Sequence, residues 1–365
     1  GSRRGGGGGS DVGFTLDGGQ GFIVLRVRVS AWEDRPVSPS AMRAFTLEHA
    51  VLDGSEGERG VISYRKAAQA STAKKGERRS GAEVREAPRR ALLWLPGRND
   101  AFFHPHVGSL LAELGIDLYV LNYRRVGECR RFNLFDNPMR NSHCSSGDFA
   151  EYHADVRQAL EFVRSQDNYG QIIGYSHSTG SPVLLDYLMA HGDSEFSGFV
   201  FNSPFLDWGW VGGRLSKLLV VHLPSLLTKL RVWNDESEIL GGGGPSAWAL
   251  QLFSQYNFDP DSRPLFTVPV TVGYCRGINR VHALLRRHSA AGAPITIKPF
   301  VVLTSKGDDV LNGDETMIHA HAIGPNRTLI ELNYARHDVF ASADNEVVHA
   351  ALAYLRTWLK SQHFA

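Results

Sequence analysis

The chain has 365 residues, 42% of them hydrophobic and 21% charged, and its 39 Lys and Arg against 38 Asp and Glu leave a formal net charge of +1. That balance excludes a strongly basic nucleic-acid binder or an acidic solvating chain, and the length suffices for a large core without covalent staples. Three cysteines, Cys129, Cys144 and Cys275, stand at no metal-like spacing, so neither a disulfide framework nor a cysteine zinc site is expected, and a reducing, cytoplasmic setting is.

Residues 1–19 contain Gly1-Ser2-Arg3-Arg4 and a glycine run ending at Ser10. They read as a low-complexity linker or an expression scar and are set aside. A core is expected over 20–204 and 265–365, interrupted by an insertion at 205–264. Phe22–Val29 alternates in its second half like a half-buried strand, and Ala44–Leu52 offers another. Arg65–Arg90, with Lys74, Lys75, Arg78 and Arg79, reads as a solvated loop; a patch for anionic lipid or nucleic acid is the lesser alternative.

From Ala91 the texture changes. Short apolar runs at Ala91–Leu95, Ile116–Leu121, Gln171–Tyr175, Gly198–Phe201, Phe300–Leu303 and Thr328–Leu332 have the character of parallel strands buried on both faces. Between them, Phe149, Tyr152, Val156, Ala159, Leu160 and Val163 recur at helical spacing, with Asp148 and Glu151 placed to form a capping box. Val348, Ala351, Leu352, Leu355, Trp358 and Leu359 repeat that spacing near the C-terminus. Strand–helix alternation predicts an α/β fold: a mostly parallel, doubly wound sheet with helices on both faces.

Residues 205–264 break the pattern. They are rich in Trp, Leu and Gly, include Gly241–Gly244, and carry no strand signal, which predicts a helical cap over one end of the sheet. No apolar run reaches the roughly 18 residues of a membrane span. Leu218–Leu227, the best candidate, is short and interrupted by His222, Pro224 and Ser225.

The chemistry concentrates in Gln171-Ile-Ile-Gly-Tyr-Ser-His-Ser-Thr-Gly-Ser-Pro182, where an apolar strand meets small residues around a serine and then an apolar helix, Val183–Met189. That is the layout of a nucleophile elbow, with a helix N-terminus beside it to favour developing negative charge. Ser176 and Ser178 each fit G-x-S-x-G with one Gly-to-Ser departure. Pro182 favours Ser178: it then falls in the first helical turn, where a missing N–H costs little, whereas an elbow at Ser176 would push it deeper, where it disrupts. A serine nucleophile needs a base, and the base an orienting acid. Phe300–Leu311 supplies a strand followed by Asp308 and Asp309, and Thr328–Asp338 a strand followed by His337, in the order Ser, Asp, His that such sheets use.

With these residues the chain resembles the α/β-hydrolase superfamily, and within it the lysophospholipase-like and monoacylglycerol-lipase-like serine hydrolases, over about Ala91–Leu359. The anchors are Pro96–Asp100, Tyr123–Gly127, His177–Gly180, Phe201–Asp207, Gly307–Leu311 and Ala335–Asp338. The resemblance implies Ser178 as nucleophile, His337 as base and Asp308 as acid, with Asp309 the alternative. It implies an oxyanion hole from the backbone N–H groups of Thr179 and Arg98. The family usually has His-Gly where this chain has Pro96-Gly97, which would alter the shape of the loop, and glycines where it has Ser176 and Ser181, which suggests a crowded or weakly active elbow.

The expected reaction is hydrolysis of an apolar or lipid-like acyl ester through an acyl-enzyme, needing no cofactor and no metal. Two alternatives stay open: the same triad acting on an amide, peptide or thioester, and a non-catalytic binder of a ligand or partner. The partner is a small-molecule acyl substrate, with no nucleic acid. Trp208, Trp210, Leu218, Leu219, Val220, Val221, Leu223, Leu226 and Leu227 give the insertion an apolar character suited to a self-packed cap, an acyl pocket or peripheral membrane contact. His104-Pro-His106 reads as part of the loop and helix after the oxyanion segment and His319-Ala-His321 as surface or packing. Arg124-Arg125 and Arg130-Arg131 read as loop solvation, with an anionic headgroup or carboxylate as the lesser alternative.

Overall fold

The computed structural model describes residues 23–27, 47–52, 60–68, 88–98, 100–124, 127–131, 147–208, 213–240, 270–308, 310–342 and 344–364. Most of the basic 65–90 stretch, Arg125, Trp210 and Asp309 lie outside them. Each apolar run predicted as a strand is one. In chain order the strands are β1 (Ile23–Val27), β2 (Glu48–Val51), β3 (Val61–Arg65), β4 (Arg89–Leu95), β5 (Ile116–Asn122), β6 (Tyr169–His177), β7 (Gly198–Asn202), β8 (Glu238–Leu240), β9 (Val270–Thr271), β10 (Phe300–Ser305) and β11 (Arg327–Leu332). Nine of them form one sheet in the order β1-β11-β10-β7-β6-β4-β5-β3-β2. It is parallel from β1 to β5, with β3 and β2 added antiparallel at one edge.

The helices are α1 (Pro105–Glu113), α2 (Glu128–Arg131), α3 (His153–Gln166), α4 (Gly180–His191), α5 (Gly213–Lys229), α6 (Val272–Ala290), α7 (Gly313–His319) and α8 (Asn345–Ser361). Because side chains alternate across a strand, β4 sends Ala91, Leu93 and Leu95 to one face and Leu92 and Trp94 to the other. The first face is covered by α3, α4 and α6 through Val156, Leu160, Leu184, Leu188, Ile278 and Leu285. The second is covered by α1 and α8 through Val107, Leu111, Ala351, Leu355 and Leu359. Burial on both sides is why the central strands read as continuous apolar runs.

Three local expectations are corrected. Asp148 accepts from the Ala150 N–H and caps a 3-10 turn at Phe149–Tyr152, while α3 begins at His153; the cap acts one turn earlier than the helical spacing implies. The insertion carries a strand after all, since β8 pairs antiparallel with β9. Three residues are too few for alternation to register. Arg124 does not serve solvation or a headgroup: its guanidinium grips the Asp155 carboxylate, with Nη2 2.7 Å from Oδ1 and Nε 3.1 Å from Oδ2.

Among the described residues, no helix is long and apolar enough to cross a membrane. Pro224 lies inside α5 and has no N–H to offer the Val220 carbonyl one turn back. The Asn279 amide of α6 supplies that bond instead, donating to both Val220 O and Val221 O at 3.1 Å. Its own oxygen accepts from the Trp208 indole at 2.7 Å. One side chain thus ties the start of the insertion, its proline-bearing helix and the sheet-covering helix together. Replacing Asn279 by Leu is expected to cost about 1–3 kcal/mol, seen in urea unfolding, with faster amide exchange concentrated in α5; uniform loss of protection would show that the bond does not hold α5 in particular.

Candidate active site

The parallel strands bring their C-terminal ends to one edge, where ligand sites of such sheets form. There β6 ends at His177, β10 at Ser305 and β11 at Leu332. Between β6 and α4 the chain turns through Ser178, whose φ of +49° lies where a side chain costs about 1–2 kcal/mol. Neighbouring backbone holds it there: Ser178 N–H donates to Asn202 O at 3.1 Å, and Ser178 O accepts from Phe205 N–H at 3.2 Å. Two glycines allow the approach. A Cβ on Gly180 would sit 2.4 Å from Leu95 O, and one on Gly97 would sit 3.1 Å from the Ser178 Cβ. Pro182 occupies the third position of α4, within the first turn.

Ser178 Oγ lies 2.9 Å from His337 Nε2, and His337 Nδ1 lies 3.0 Å from Asp308 Oδ2. A carboxylate can only accept, so Nδ1 carries the proton and Nε2 is left to accept from the serine. Asp308 also accepts the Val310 and Leu311 N–H groups, each at 2.8 Å. Burial by itself pulls its pKa up, but His337 and these two donors outweigh it and hold the carboxyl below the ordinary value. Ser305 joins the two loops, its Oγ donating to Ala335 O at 2.6 Å and accepting from Gly307 N–H at 2.9 Å.

Ser176 is not part of this cluster. It is fully buried, and its Oγ pairs with Ser181 Oγ at 2.8 Å. The two serines that stand where the family favours glycine therefore satisfy each other instead of crowding the turn. Among the described residues the Thr179 N–H has no acceptor. The Thr179 hydroxyl bonds the Tyr274 hydroxyl at 2.7 Å, and the Arg98 guanidinium lies 5.3 Å from the centre of the Tyr274 ring. Tyr274 comes from the start of α6, which Thr271 caps; its distance in sequence from the serine turn hid it.

Beneath His337 runs a buried polar network whose members the sequence reading left without roles. Asp338 accepts from His104 Nε2 at 2.6 Å and from Asn202 Nδ2 at 2.8 Å, and Asn202 Nδ2 also reaches the Tyr175 hydroxyl at 2.9 Å. His106 Nε2 donates to Phe340 O at 2.7 Å, so both histidines of His104-Pro-His106 brace the histidine loop. His177 Nδ1 bonds Asp100 Oδ2 at 2.9 Å, and its ring centre lies 5.0 Å from that of His337. Burial pushes the His177 imidazolium down, but the Asp338 charge and the Asp100 hydrogen bond outweigh it and leave its pKa raised. Asp338 runs the other way. Burial favours its neutral form, yet His104, His177 and Asn202 hold it far below the usual carboxylate range.

The Asp338 charge is therefore a stability term. An unfolded aspartate titrates near about 3.9, so its contribution is complete above that pH and is lost as pH falls toward the depressed folded value. Asp338→Asn is expected to lose about 3–5 kcal/mol at neutral pH, in a urea-unfolding series, with the gap to the parent narrowing as pH rises through the raised His177 pKa and closing below about pH 4. A gap that ignores pH would assign the loss to packing.

The sequence pattern of the family described as "Serine aminopeptidase, S33" matches residues 86–344. No curated protein sequence matches the chain. Among solved structures, a soluble variant of monoglyceride lipase from Saccharomyces cerevisiae, in complex with a substrate analog, superposes with a TM-score of 0.65 at 15% identity, covering 90% of this chain and 99% of that one. A highly thermostable carboxyl esterase from Bacillus coagulans gives 0.61 at 12% identity, covering 87% and 99%. A monoacylglycerol lipase from Paleococcus ferrophilus gives 0.54 at 15%, covering 75% and 96%. At such identities the structural likeness establishes the fold, and the match across most of the sequence establishes the family: the chain belongs to the serine aminopeptidase S33 family of α/β-hydrolases.

Proposed function

We propose that the protein is a serine hydrolase that cleaves an acyl ester of an apolar or lipid-like substrate through a covalent acyl-enzyme. The observation that carries this reading is the continuous chain Ser178 Oγ to His337 Nε2 to Asp308, with bonds of 2.9 and 3.0 Å, at the strand ends of an α/β-hydrolase sheet. His337 takes the Ser178 proton as Oγ attacks the acyl carbonyl, and Asp308 stabilises the imidazolium that forms. The Thr179 and Arg98 N–H groups face the developing oxyanion, each such donor contributing about 3–4 kcal/mol to the transition state. His337 returns the proton to the leaving alcohol; water, activated by the same imidazole, then releases the acid and restores Ser178.

The apolar or lipid-like acyl group is inferred from the solved neighbours. The described solved neighbours are lipases and an esterase by name, whereas the family description names an aminopeptidase. The peptide reading is therefore kept as the second, and a substrate panel separates them. Peripheral membrane contact through the insertion is part of the proposal: Leu226, Leu230 and Val232 are 52%, 61% and 64% exposed, and Lys229 and Arg231 beside them are exposed as well, an apolar strip with cations suited to an anionic lipid surface.

The test is intact-mass labelling with a fluorophosphonate, followed by turnover of p-nitrophenyl esters of graded chain length and of aminoacyl p-nitroanilides. One adduct is expected on the parent and on Ser176→Ala, and none on Ser178→Ala. Ester turnover should fall at least about 10⁴-fold in Ser178→Ala and about 10⁴-fold in Asp308→Asn, with Asp309→Asn close to the parent. An adduct lost only in Ser176→Ala would overturn the assignment, and anilide turnover exceeding ester turnover would favour the peptidase. Vesicle flotation checks the membrane proposal: binding to anionic vesicles should drop in Leu226→Ser/Leu230→Ser, and equal binding by that variant would refute it.

A further inference from the structure

A second cluster of chemically capable side chains lies outside the serine site. Glu315 and His319 stand four residues apart on α7, and so share one helix face. The helix start is fixed by Asn312, whose side chain accepts from the Asp314 and Glu315 N–H groups. Facing them is Asp207, at the end of the segment that follows β7 and leads into the insertion. Its neighbours Phe205, Leu206 and Trp208 are buried, so the carboxylate cannot drift from this position.

His319 Nε2 lies 3.6 Å from Asp207 Oδ2 and 3.5 Å from Glu315 Oε2, and one ligand atom from each of the three residues falls within 4.8 Å of the others. These separations are too long for hydrogen bonds. They are close to the separation of about 3.4 Å between donors around a tetrahedral ion with bonds of about 2.1 Å. Two carboxylates thus converge on one imidazole nitrogen. Side-chain exposure rises from 7% at Asp207 through 23% at His319 to 37% at Glu315, so the cluster opens to solvent on one side. Arg286 Nη1 stands 3.9 Å from the same Asp207 oxygen, but its side chain is 51% exposed and can turn away.

We propose that Asp207, Glu315 and His319 bind a divalent transition-metal ion of the Zn²⁺ type. One imidazole and two carboxylates suit such an ion, and three protein ligands leave a position for water. The ion would clamp the foot of the insertion to α7, the helix that follows the Asp308 loop. It lies outside the Ser178 chemistry, so its presence or absence does not depend on the hydrolase reading.

The test measures binding directly. The full chain, stripped with chelator and equilibrated with micromolar Zn²⁺, is expected to retain one equivalent. His319→Ala and Glu315→Gln should bind roughly tenfold or more weakly, while His321→Ala, an exposed histidine two residues on, should bind as the parent does. Glu315→Gln is a near-isosteric change at a surface position and keeps the test decisive if His319→Ala fails to fold. Co²⁺ substituted for Zn²⁺ should give visible bands without a thiolate charge-transfer band. No stoichiometric binding by the parent, parent-like binding by folded His319→Ala or Glu315→Gln, or a thiolate band would each overturn the proposal.

Discussion

The turn at Ser178 is held in the left-handed region, at φ +49°, by contacts that come mostly from strands distant in sequence. Asn202 and Phe205 supply the backbone partners on either side of the β7 end. The β4 loop approaches through Gly97, and the first residue of α4 can lie against Leu95 only because it is Gly180. A conformation costing of order 1–2 kcal/mol persists because the surrounding sheet over-determines it. The rest of the site follows from that constraint. With the serine side chain lifted above the sheet edge, His337 meets it at hydrogen-bond distance, and among the described residues the Thr179 N–H has no acceptor.

A second constraint lies one layer down. Burying a carboxylate is expensive unless it is paired and hydrogen-bonded, and Asp338 is fully buried. His104 from the start of α1 and Asn202 from the end of β7 satisfy it, and Asn202 Oδ1 in turn accepts from the Val339 N–H at 3.3 Å. The residue next to His337 is thereby locked to two separate elements. The histidine loop cannot shift without leaving a buried charge unpaired, so the imidazole is positioned by electrostatics that never touch the serine. The Asp100–His177 pair extends the same device to the other side of the turn.

The insertion is coupled to this body by polar contacts as much as by apolar burial. Asn279 repairs the carbonyl that Pro224 leaves unmatched and holds Trp208 at the same time. Tyr274, one turn earlier on α6, reaches the Thr179 hydroxyl and carries Arg98 over its ring. One helix therefore joins the insertion to the elbow.

The central strands, the helix spacings and the order Ser178, Asp308, His337 were legible in the sequence because each is written locally. Strands buried on both faces are unbroken apolar runs, and the candidate catalytic side chains fall just after them. The position of Pro182 distinguished Ser178 from Ser176 for an equally local reason, the missing N–H. What stayed hidden is carried by particular side-chain pairs, most of them distant in sequence: Ser176 with Ser181 across the turn, His104 with Asp338, Thr179 with Tyr274, Arg124 with Asp155, and Asn279 with the carbonyl opposite Pro224. A hydrogen bond between such groups has no period and no composition, and β8 with three residues is too short to have one. The sequence by itself determined the central strands, the helix spacings over 149–163 and 348–359, and the end of the sheet where Ser178, Asp308 and His337 meet. Only the tertiary structure decided which polar side chains are buried, because a buried polar group is tolerated only where folding delivers its partner.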